Sequence, residues 1–516
     1  MLFDRFGGLY FVFFRCLCLF LHPIILQCNM EQGYTINLSG GVVRNADVRF
    51  ALPVDFSLCK GEHIAVVGRN GSGKSVLAGI LTGRYPLREG VIEYDFSPAK
   101  SNTVYENIRY ISFRDVYGSA ETGYYYQQRW NVHEQDDDIP TVGDLLTGCN
   151  DKQFKNEVLE MFGVASMLEE KIILLSSGEL RKFQVANALL SSPRLLIMDN
   201  PFIGLDEEAR RVLNGTLEGI ASVGHVQTVL LVSSVEEIPS YVTHVVEVAS
   251  GVVGTKLPYA EFMARYNKEC ADVGDIVSCM QMLPDAECAF DGEEVLSFRN
   301  VTVQYADRVI LKNVDWTVSK GESWLLTGCN GSGKSTLLSL VSADNLQSYA
   351  CDISLFGRRR GSGESIWEIK KHIGYVSPEM HRGYLRNLPM GDIVASGLHD
   401  SIGLYVKSTP EQLAACEFWM KLFGIEHLKE RSFITLSDGE QRLALLARAF
   451  VKDPSLLILD EPLHGLDSYN KQRVNAIIEA FSRRHGKTII YVSHYENEVP
   501  ATVTKRLHLK KEGYRR

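Results

Sequence analysis

An aspartate and a glutamate stand side by side at the end of a strongly apolar segment, Asp460 and Glu461 after Leu456–Leu459. Such a run is typical of a buried strand in a nucleotide-binding sheet, where the aspartate handles Mg²⁺ and the next carboxylate can orient and activate an attacking water. A second run of this kind exists, but there Asp199 is followed by Asn200. An amide cannot accept a proton at neutral pH, and loss of a positioned base typically costs about 10²–10⁴ in rate. The residues predict two related magnesium-phosphate sites, one equipped for hydrolysis and one impaired.

Two glycine-rich loops could supply the phosphate-binding part of these sites. In each loop, backbone amides would curve around phosphate oxygens, a lysine would reach the β- and γ-phosphates of ATP, and the next serine would bind Mg²⁺ with the aspartate of its half. The predicted magnesium ligands are Ser75, Asp199, Ser335 and Asp460. The predicted ATP-binding loop residues are Gly68, Asn70, Gly71, Ser72, Gly73, Lys74 and Ser75 in the first half, and Gly328, Asn330, Gly331, Ser332, Gly333, Lys334, Ser335 and Thr336 in the second. One such loop could be a chance glycine turn, but two in the same context predict nucleotide binding.

The two loops belong to an internal repeat that spans most of the chain. Each motif of the first half recurs about 260 positions later, so the halves are colinear copies. Within each half, short apolar runs alternate with helical stretches, a pattern that favours buried parallel strands flanked by helices. The predicted organisation is a leader at 1–29, a first domain at 30–253, a connection at 254–292 and a second domain at 293–516.

Composition and charge limit the class of protein. With 516 residues, 45% of them hydrophobic and 23% charged, the chain has the composition of a globular protein with several domains. A formal net charge of −9 argues against a general affinity for nucleic acid. The 11 cysteines form no pair of closely spaced couples, which favours reduced thiols over a zinc site or a disulfide scaffold.

The predicted leader, residues 1–29, is an apolar stretch interrupted by Arg15, His22 and Pro23. A signal peptide or membrane anchor is one interpretation, but the apolar run is broken and no clear small-residue cleavage site follows it. A phosphate-loop ATPase also needs cytosolic ATP. The pattern therefore favours a start codon assigned too early, with ordinary sequence beginning at Met30, over a membrane-seeking tail.

Two short segments, 175–179 and 436–440, specify the type of nucleotide-binding protein. They resemble the signature of ATP-binding cassette (ABC) domains, and they also fit the serine-capped start of a helix; the two interpretations are compatible. The signature residues are Ser176, Gly178, Ser437 and Gly439.

The resemblance covers nearly all of the chain from about residue 33 onward. It implies an α/β fold with two tandem P-loop NTPase domains of the ABC ATPase type, each a mostly parallel sheet flanked by helices with a helical subdomain. It further implies that the halves pair within the chain, head to tail over two ATP molecules. Each ATP would lie between the phosphate loop of one half and the signature of the other. ATP and Mg²⁺ are the implied cofactors.

Under this resemblance the site on the second phosphate loop has the expected residue types with one exception, a glutamine described below, and is completed by the first half's signature. Its implied catalytic residues are Lys334, Glu461 and His494, of which Glu461 would polarise the attacking water and His494 would contact the γ-phosphate. Tyr305 occupies the place where the family has an aromatic residue that stacks on adenine.

The site on the first phosphate loop lacks three of these residue types. It has Asn200 for the carboxylate, Ser234 for the histidine and Asn45 near the aromatic position. Each replacement alone could be drift that leaves some activity. Three replacements together predict a site that holds ATP and hydrolyses it slowly or not at all.

Both halves depart from the family at the glutamine that senses the γ-phosphate and couples transporters to their membrane partner. Ser377 is followed by Pro378 and Glu379, and the first half has Phe113 in this region. Conventional coupling is therefore in doubt. Gln127 and Gln128, in a tyrosine-rich insert, are candidate substitutes.

Residues 355–377 and 396–405 closely resemble tandem cassette proteins associated with bacterial molybdate transport. This implies an ATPase that is cytoplasmic, or peripheral on the inner face of the plasma membrane, with permease subunits as partners. From the net charge, no specific nucleic acid is expected as a partner. Within the first segment, Arg358–Arg360 is either a solvated basic turn or a contact for phosphate, lipid headgroups or a partner's acid.

Two other functions stay open. One is a soluble ABC protein acting on ribosomes or nucleic acid, although such proteins usually join two fully catalytic halves by a long charged helical linker. Here the connection is short and one half is impaired. The other is the paired, asymmetric ATPase of a sugar-type importer.

Overall fold

The computed structural model describes residues 33–510 with gaps. The residues left out within this range are 46–47, 49, 100, 113–139, 147, 150, 173–174, 176, 203–204, 206, 225, 267–273, 282–291, 306–307, 330, 385 and 494. The predicted leader and the candidate glutamines Gln127 and Gln128 lie outside the described residues.

The first half contains an antiparallel sheet packed on a mostly parallel one. Its strands are β1 (Tyr34–Val43), β2 (Val54–Cys59), β3 (Ile64–Val67), β4 (Leu87–Tyr94), β5 (Ile108–Ile111), β6 (Leu195–Asp199), β7 (Gln227–Val232), β8 (His244–Ala249), β9 (Val252–Val253) and β10 (Leu257–Pro258). The antiparallel sheet has the order β2-β1-β4. The central strands of the other sheet, β8-β3-β7-β6-β5, are all parallel.

Helices cover the parallel sheet of the first half. They are α1 (Lys74–Leu81), α2 (Val104–Asn107), α3 (Lys152–Met161), α4 (Ser177–Leu190), α5 (Glu207–Val223) and α6 (Tyr259–Arg265), with 3-10 turns at Ala165–Met167 and Val235–Glu237. Successive residues of β3 point to opposite faces, so Ile64 packs toward the antiparallel sheet and Ala65 toward the helices α3 and α4. Because both faces of the sheet are covered, β6 and β7 are buried along their whole length, as their continuous apolar sequence predicts.

The second half repeats this plan after helix α7 (Gly274–Gln281). Its strands are β11 (Glu294–Tyr305), β12 (Arg308–Ser319), β13 (Ser323–Thr327), β14 (Asp352–Leu355), β15 (Arg358–Arg359), β16 (Ile373–Val376), β17 (Leu456–Asp460), β18 (Thr488–Val492) and β19 (Lys505–His508). The antiparallel sheet has the order β12-β11-β14-β15, and the parallel sheet has the order β16-β17-β18-β13-β19. The second order matches β5-β6-β7-β3-β8 strand for strand, which confirms the duplication.

The second half also has its own helical subdomain. Its helices are α8 (Lys334–Val341), α9 (Ile366–Lys370), α10 (Pro378–Gly383), α11 (Met390–Ala395), α12 (Pro410–Leu422), α13 (Asp438–Phe450) and α14 (Ser468–Ser482), with 3-10 turns at Leu346–Tyr349, Ser396–His399, Glu426–Leu428, Phe433–Thr435 and Glu496–Glu498. Helices α11 and α12 pack on α13 around the buried ring of Trp419. The predicted α/β fold with a parallel sheet and a helical subdomain in each half is confirmed.

The predicted connection divides between the two halves. Phe262 of α6 is buried in the core of the first half. Ile276 and Met280 of α7 are buried in the core of the second half, where α7 packs on α14. The helices at the two ends of this segment thus pack on the halves they adjoin. The boundaries at 253 and 293 stay a prediction. Within the described ranges, no helix has both the length and the apolar composition needed to cross a bilayer.

Candidate functional site

Each phosphate loop joins a strand to a helix through a glycine in the left-handed backbone region, which residues with a side chain rarely adopt. Gly73 and Gly333 precede α1 and α8 with φ of 113° and 92°. At the start of the first loop there is no room for a side chain, since a Cβ on Gly68 would lie 2.1 Å from the carbonyl oxygen of Val248. These glycines aim the amides of a helix N-terminus at one point, where a helix dipole favours an anion.

The lysine of each loop is buried and bonded to the loop itself. Lys74 Nζ donates to the carbonyls of Gly68 (2.7 Å) and Arg69 (3.0 Å). Lys334 Nζ donates to the carbonyls of Gly328 (2.6 Å) and Cys329 (3.2 Å). Burial lowers the pKa of Lys74, although nearby carboxylates oppose this. Both ammonium groups are thus held within the loop that would wrap the phosphates.

Two buried hydroxyls show that the loops fit a phosphate ligand. Ser72 Oγ and Ser332 Oγ are buried and have no hydrogen-bond partner among the described residues. Buried polar groups are normally hydrogen-bonded, so such a pair at equivalent positions indicates hydroxyls that are suited to bind a ligand. These hydroxyls can donate hydrogen bonds, as can the loop amides and the lysines, and such a set of donors suits the phosphate oxygens of ATP.

The aspartates proposed for Mg²⁺ lie beside these loops. Asp199 Oδ2 accepts hydrogen bonds from Ser75 Oγ (2.7 Å) and the Tyr110 hydroxyl (3.0 Å). Burial raises the pKa of Asp199 to about 6, and the charge of Asp438 from the other half adds to the rise. Burial, then Glu379 and Glu461, raise the pKa of Asp460. Carboxylates crowded in this way are stabilised in the ionised form by a divalent cation, so the donor set fits Mg²⁺.

The residues after the two aspartates occupy the same backbone position in the two halves. Asn200 and Glu461 both have left-handed backbones, with φ of 47° and 50°. The Asn200 amide bridges Asp199 Oδ1 and Ser233 Oγ, each at 3.0 Å. Glu461 Oε2 instead accepts from His464 Nδ1 at 2.7 Å. The halves thus differ in chemistry at a position that the fold keeps constant.

The signature helix of the second half begins at the phosphate loop of the first half. Ser437 caps α13 in a reciprocal pair with Glu440, which is the serine cap predicted from sequence. A Cβ on Gly439 would lie 2.0 Å from the Asn70 side chain, and one on Gly71 would lie 2.5 Å from Glu440 Oε1. One phosphate loop and the opposite signature are therefore in contact, in the head-to-tail sense that the resemblance implied.

Further contacts join the halves on this side. The Asn70 side chain donates to the carbonyl of Gly465 (2.9 Å) and accepts from the Asp467 amide (2.8 Å), while the Asn70 amide donates to Asp467 Oδ2 (2.8 Å). The Arg69 guanidinium lies 4.0 Å from the centre of the Tyr469 ring.

Other predicted site residues have mixed outcomes. Tyr305 ends β11, and its hydroxyl accepts from Asn345 Nδ2 at 2.9 Å. Ser234 Oγ lies 3.0 Å from Ser468 Oγ across the two halves. Gly178 is buried in the first turn of α4. The positions that lie outside the described residues are Ser176, Asn330 and His494. The roles predicted for all of these residues stay predictions.

The basic turn is only partly solvated, because its third arginine is buried. Arg358 and Arg359 are exposed and pair with Glu368 and Asp352. Arg360 is ion-paired with Glu364 and lies 4.4 Å from the Tyr349 ring centre. The solvated interpretation is therefore wrong for Arg360.

Sequence reasoning missed residues that act at the site only through folding. His464 follows a proline and a leucine in a segment that no motif marked, yet it bonds to Glu461. The Tyr495 hydroxyl donates to the carbonyl of Leu205 in the other half at 3.2 Å. Phe50 packs against Gly73, within 2.7 Å of where a Cβ would be. The available signal was the mismatch between repeats, since His464 and Tyr495 correspond to Ile203 and Val235.

Comparison with known proteins agrees with this geometry. The family model described as ABC transporter matches residues 52–203 and 311–464, which is more than half of the chain. The ABC transporter ATP-binding protein ModF of Escherichia coli (strain K12) is 35% identical, over 93% of this chain and 97% of its own length. An uncharacterized ABC transporter ATP-binding protein of Schizosaccharomyces pombe is 30% identical, over 90% of this chain and 96% of its own length.

Solved structures share the fold. The archaeal ribosome recycling factor aABCE1, in complex with the ribosomal stalk protein aP1, superposes with a TM-score of 0.51 at 17% identity, covering 91% of this chain and 87% of its own. A model of ribosome-bound archaeal Pelota and ABCE1 gives a TM-score of 0.54 at 17% identity, covering 87% and 72%. With paired phosphate loops, a signature helix that meets the opposite loop and a family match in both halves, the chain belongs to the ABC transporter ATP-binding family, as two ABC ATPase domains in tandem.

Proposed function

We propose that this ABC ATPase binds two magnesium-ATP molecules and hydrolyses only the one on the second phosphate loop. Asn200 and Glu461 carry the proposal, because they stand at the same left-handed position after equivalent strands. Glu461 can accept a proton from an attacking water, whereas the Asn200 amide cannot. Lys334 and His494 complete the hydrolytic site in this proposal, with Ser335 and Asp460 as its magnesium ligands.

The first site serves in this proposal to hold ATP. Its Asn200 side chain is bound on both sides, to Asp199 and Ser233, so it is fixed as a structural bridge. Its loop keeps Lys74, Ser75 and the buried hydroxyl of Ser72, which suit binding.

A matched pair of substitutions tests the assignment. Glu461→Gln should lower steady-state ATP hydrolysis by about 10²-fold or more while two ATP molecules still bind, because only the base is lost. Asn200→Asp should change the rate less than about twofold, since Ser234 still replaces the histidine. The measurements are phosphate release and equilibrium dialysis with labelled ATP. Hydrolysis by Glu461→Gln equal to that of the parent would refute the assignment.

The partner in this proposal is a membrane permease of the molybdate type. Support comes from the resemblance of residues 355–377 and 396–405 and from the similarity to a relative named ABC transporter ATP-binding protein, which covers 97% of that relative's length. Glu461→Gln loaded with ATP would be held closed and could be recovered from detergent-solubilised membranes with its partner. Recovery of a polytopic permease is expected; recovery of ribosomal subunits from the same extract would overturn this part of the proposal.

A further inference from the structure

The carboxylate of Glu461 is held by a histidine from the loop that follows it. His464 Nδ1 lies 2.7 Å from Glu461 Oε2, and the two side chains are 8% and 9% exposed. An ionised carboxylate only accepts hydrogen bonds, so the imidazole is the donor. The His464 amide also donates to the Glu461 carbonyl at 3.2 Å, so the loop closes on the glutamate through backbone and side chain together.

The backbone of Glu461 makes such support necessary. Its φ of 50° is uncommon for a glutamate. Asparagine adopts this region more readily, because its short side chain can hydrogen-bond to the local backbone. The long side chain of a glutamate has rotational freedom, and a buried hydrogen bond to Oε2 restricts it. Such a restraint is needed to keep a catalytic base in position.

His464 is in turn backed by a residue that reaches the other half. The His464 and Tyr495 rings meet edge to face, 5.8 Å apart at 61°. The Tyr495 hydroxyl donates to the Leu205 carbonyl at 3.2 Å and accepts from Arg210 Nη1 at 3.4 Å. Leu205 and Arg210 belong to the first half, so a continuous path of contacts joins Glu461 to the opposite domain.

This path is confined to the half that carries the glutamate. At the corresponding positions the first half has Asn200, Ile203 and Val235. Ile203 has no hydrogen-bond donor or aromatic ring in place of His464, and Val235 has neither the ring nor the hydroxyl of Tyr495. The replacement of all three together is the pattern expected when the supporting residues serve the carboxylate and are not needed without it.

The path borders a cleft between the halves. A cavity of about 450 Å³ is lined by Phe202, Arg210, Ser468, His464 and Tyr495 among others. Because the cleft lies beside the two rings, separation of the halves can release Tyr495 from Leu205 without unfolding either domain. The ring of His464 then loses the support of Tyr495.

We infer that His464 is a positioning residue for Glu461 and that Tyr495 makes this positioning depend on closure of the two halves. The inference rests on the proposed function, in which Glu461 is the base. The competent site is therefore aligned when the first half is docked, through contacts that do not involve nucleotide.

Substitutions of His464 test the first part of the inference. His464→Leu should lower kcat by about 10–100-fold with KM for ATP changed less than twofold, because binding groups are untouched and only the base is misplaced. His464→Asn, which keeps a donor near the Nδ1 position, should recover at least half of the lost activity on a logarithmic scale. His427→Leu, at an exposed histidine of the same half, is the control and should match the parent.

A double substitution distinguishes failure of the inference from failure of the proposed function. In a Glu461→Gln background, His464→Leu should have no further effect, because its role passes through the carboxylate. If Glu461→Gln is inactive and His464→Leu has the parent's kcat, the inference is wrong and the proposed function stands. If Glu461→Gln is active, the proposed function is wrong, whatever the result for His464→Leu.

Tyr495→Phe tests the second part, since it keeps the ring against His464 and removes only the hydroxyl, with its two hydrogen bonds to Leu205 and Arg210 of the other half. It should lower kcat by about 2–10-fold, because these bonds act on Glu461 only through the ring of His464. The effect should be absent when His464 is already leucine. An unchanged kcat, or an equal loss in both backgrounds, would show that Tyr495 does not act through His464.

Discussion

At the scale of single residues, one buried arginine in each half connects the strand ends that carry the chemistry. Arg442 Nη1 donates to the Ser377 carbonyl at 3.0 Å, and its Nη2 donates to the carbonyls of Asp460 (2.9 Å) and Glu461 (2.5 Å). Arg181, at the same place in the first half, makes two longer bonds, 3.4 Å each, to the carbonyls of Ser112 and Asn200. The glutamate of the second half therefore sits on the better-anchored backbone.

Replacing the two arginines in turn should reveal this difference. Arg442→Met removes the charged donor from three carbonyls, although the Ser377 and Glu461 carbonyls keep the amides of His381 and His464 as donors. The loss should be about 1–3 kcal/mol in total, so the unfolding midpoint of the second half should fall by about 2–12 °C. Arg181→Met should cost less, because its bonds are longer and its Nη1 is shared with Gln184. Differential scanning calorimetry on the full chain measures both midpoints. An equal or larger loss for Arg181→Met would contradict the argument.

At the scale of elements, the start of each signature helix is predicted to serve the ATP of the other half. In the second half this start faces the opposite phosphate loop, with Gly439 against Asn70. Helix amides directed at a phosphate supply positive potential where charge develops. By the same arrangement, the start of α4 at Gly178, in the first half, would face the ATP held by Lys334 of the second half.

The two signature glycines should therefore differ in their effect on rate. Gly178→Glu should reduce hydrolysis to background, because a carboxylate would oppose the γ-phosphate at the competent site. Gly439→Glu should leave measurable turnover, since it acts on the slow site. Gly215→Glu is the matched control and should retain the parent's rate. Gly215 is exposed on α5, and a Cβ added there would meet no neighbouring side chain or loop within 4 Å. A greater loss from Gly439→Glu than from Gly178→Glu would disprove the assignment of the sites.

At the scale of the whole molecule, the described contacts between phosphate loop and signature are found on the side with the first phosphate loop. Asn70 forms three hydrogen bonds with Gly465 and Asp467. The Arg69 guanidinium stacks over the ring of Tyr469. An ATP that is bound at Lys74 and not hydrolysed would further join the first half to Ser437 of the second half. This side would then act as a hinge, so that only the Lys334 side opens when products leave.

Lysine substitutions and nucleotide counting test the hinge. Lys334→Ala should reduce turnover to background by loss of the phosphate clamp, whereas Lys74→Ala should lower it only partly, through weaker closure. After rapid gel filtration, the parent should retain one ATP per chain through several turnovers, and Lys74→Ala should lose it. Complete exchange of nucleotide at every turnover would rule out a hinge.

The amino-acid sequence alone determined the duplicated architecture and the asymmetry of the two sites. Loop glycines, the lysine that follows them and an apolar run ending in an acid are local patterns, because short contiguous segments must wrap a phosphate or cross a sheet. Asn200 and Glu461 could be compared without coordinates, since the repeat aligned them. The serine cap at Ser437 was predictable for the same reason, as it involves residues three apart.

Tertiary structure alone decided which distant residues support those patterns. The bond from His464 to Glu461 depends on the path of a loop, and that from Tyr495 to Leu205 joins positions nearly 300 residues apart. Arg360 is buried because Tyr349 and Glu364 fold around it, whereas its sequence neighbours are exposed. Helix α7 joins the second half because the face with Ile276 and Met280 finds a partner in α14. Such contacts depend on where the chain returns in space, which local spacing does not specify.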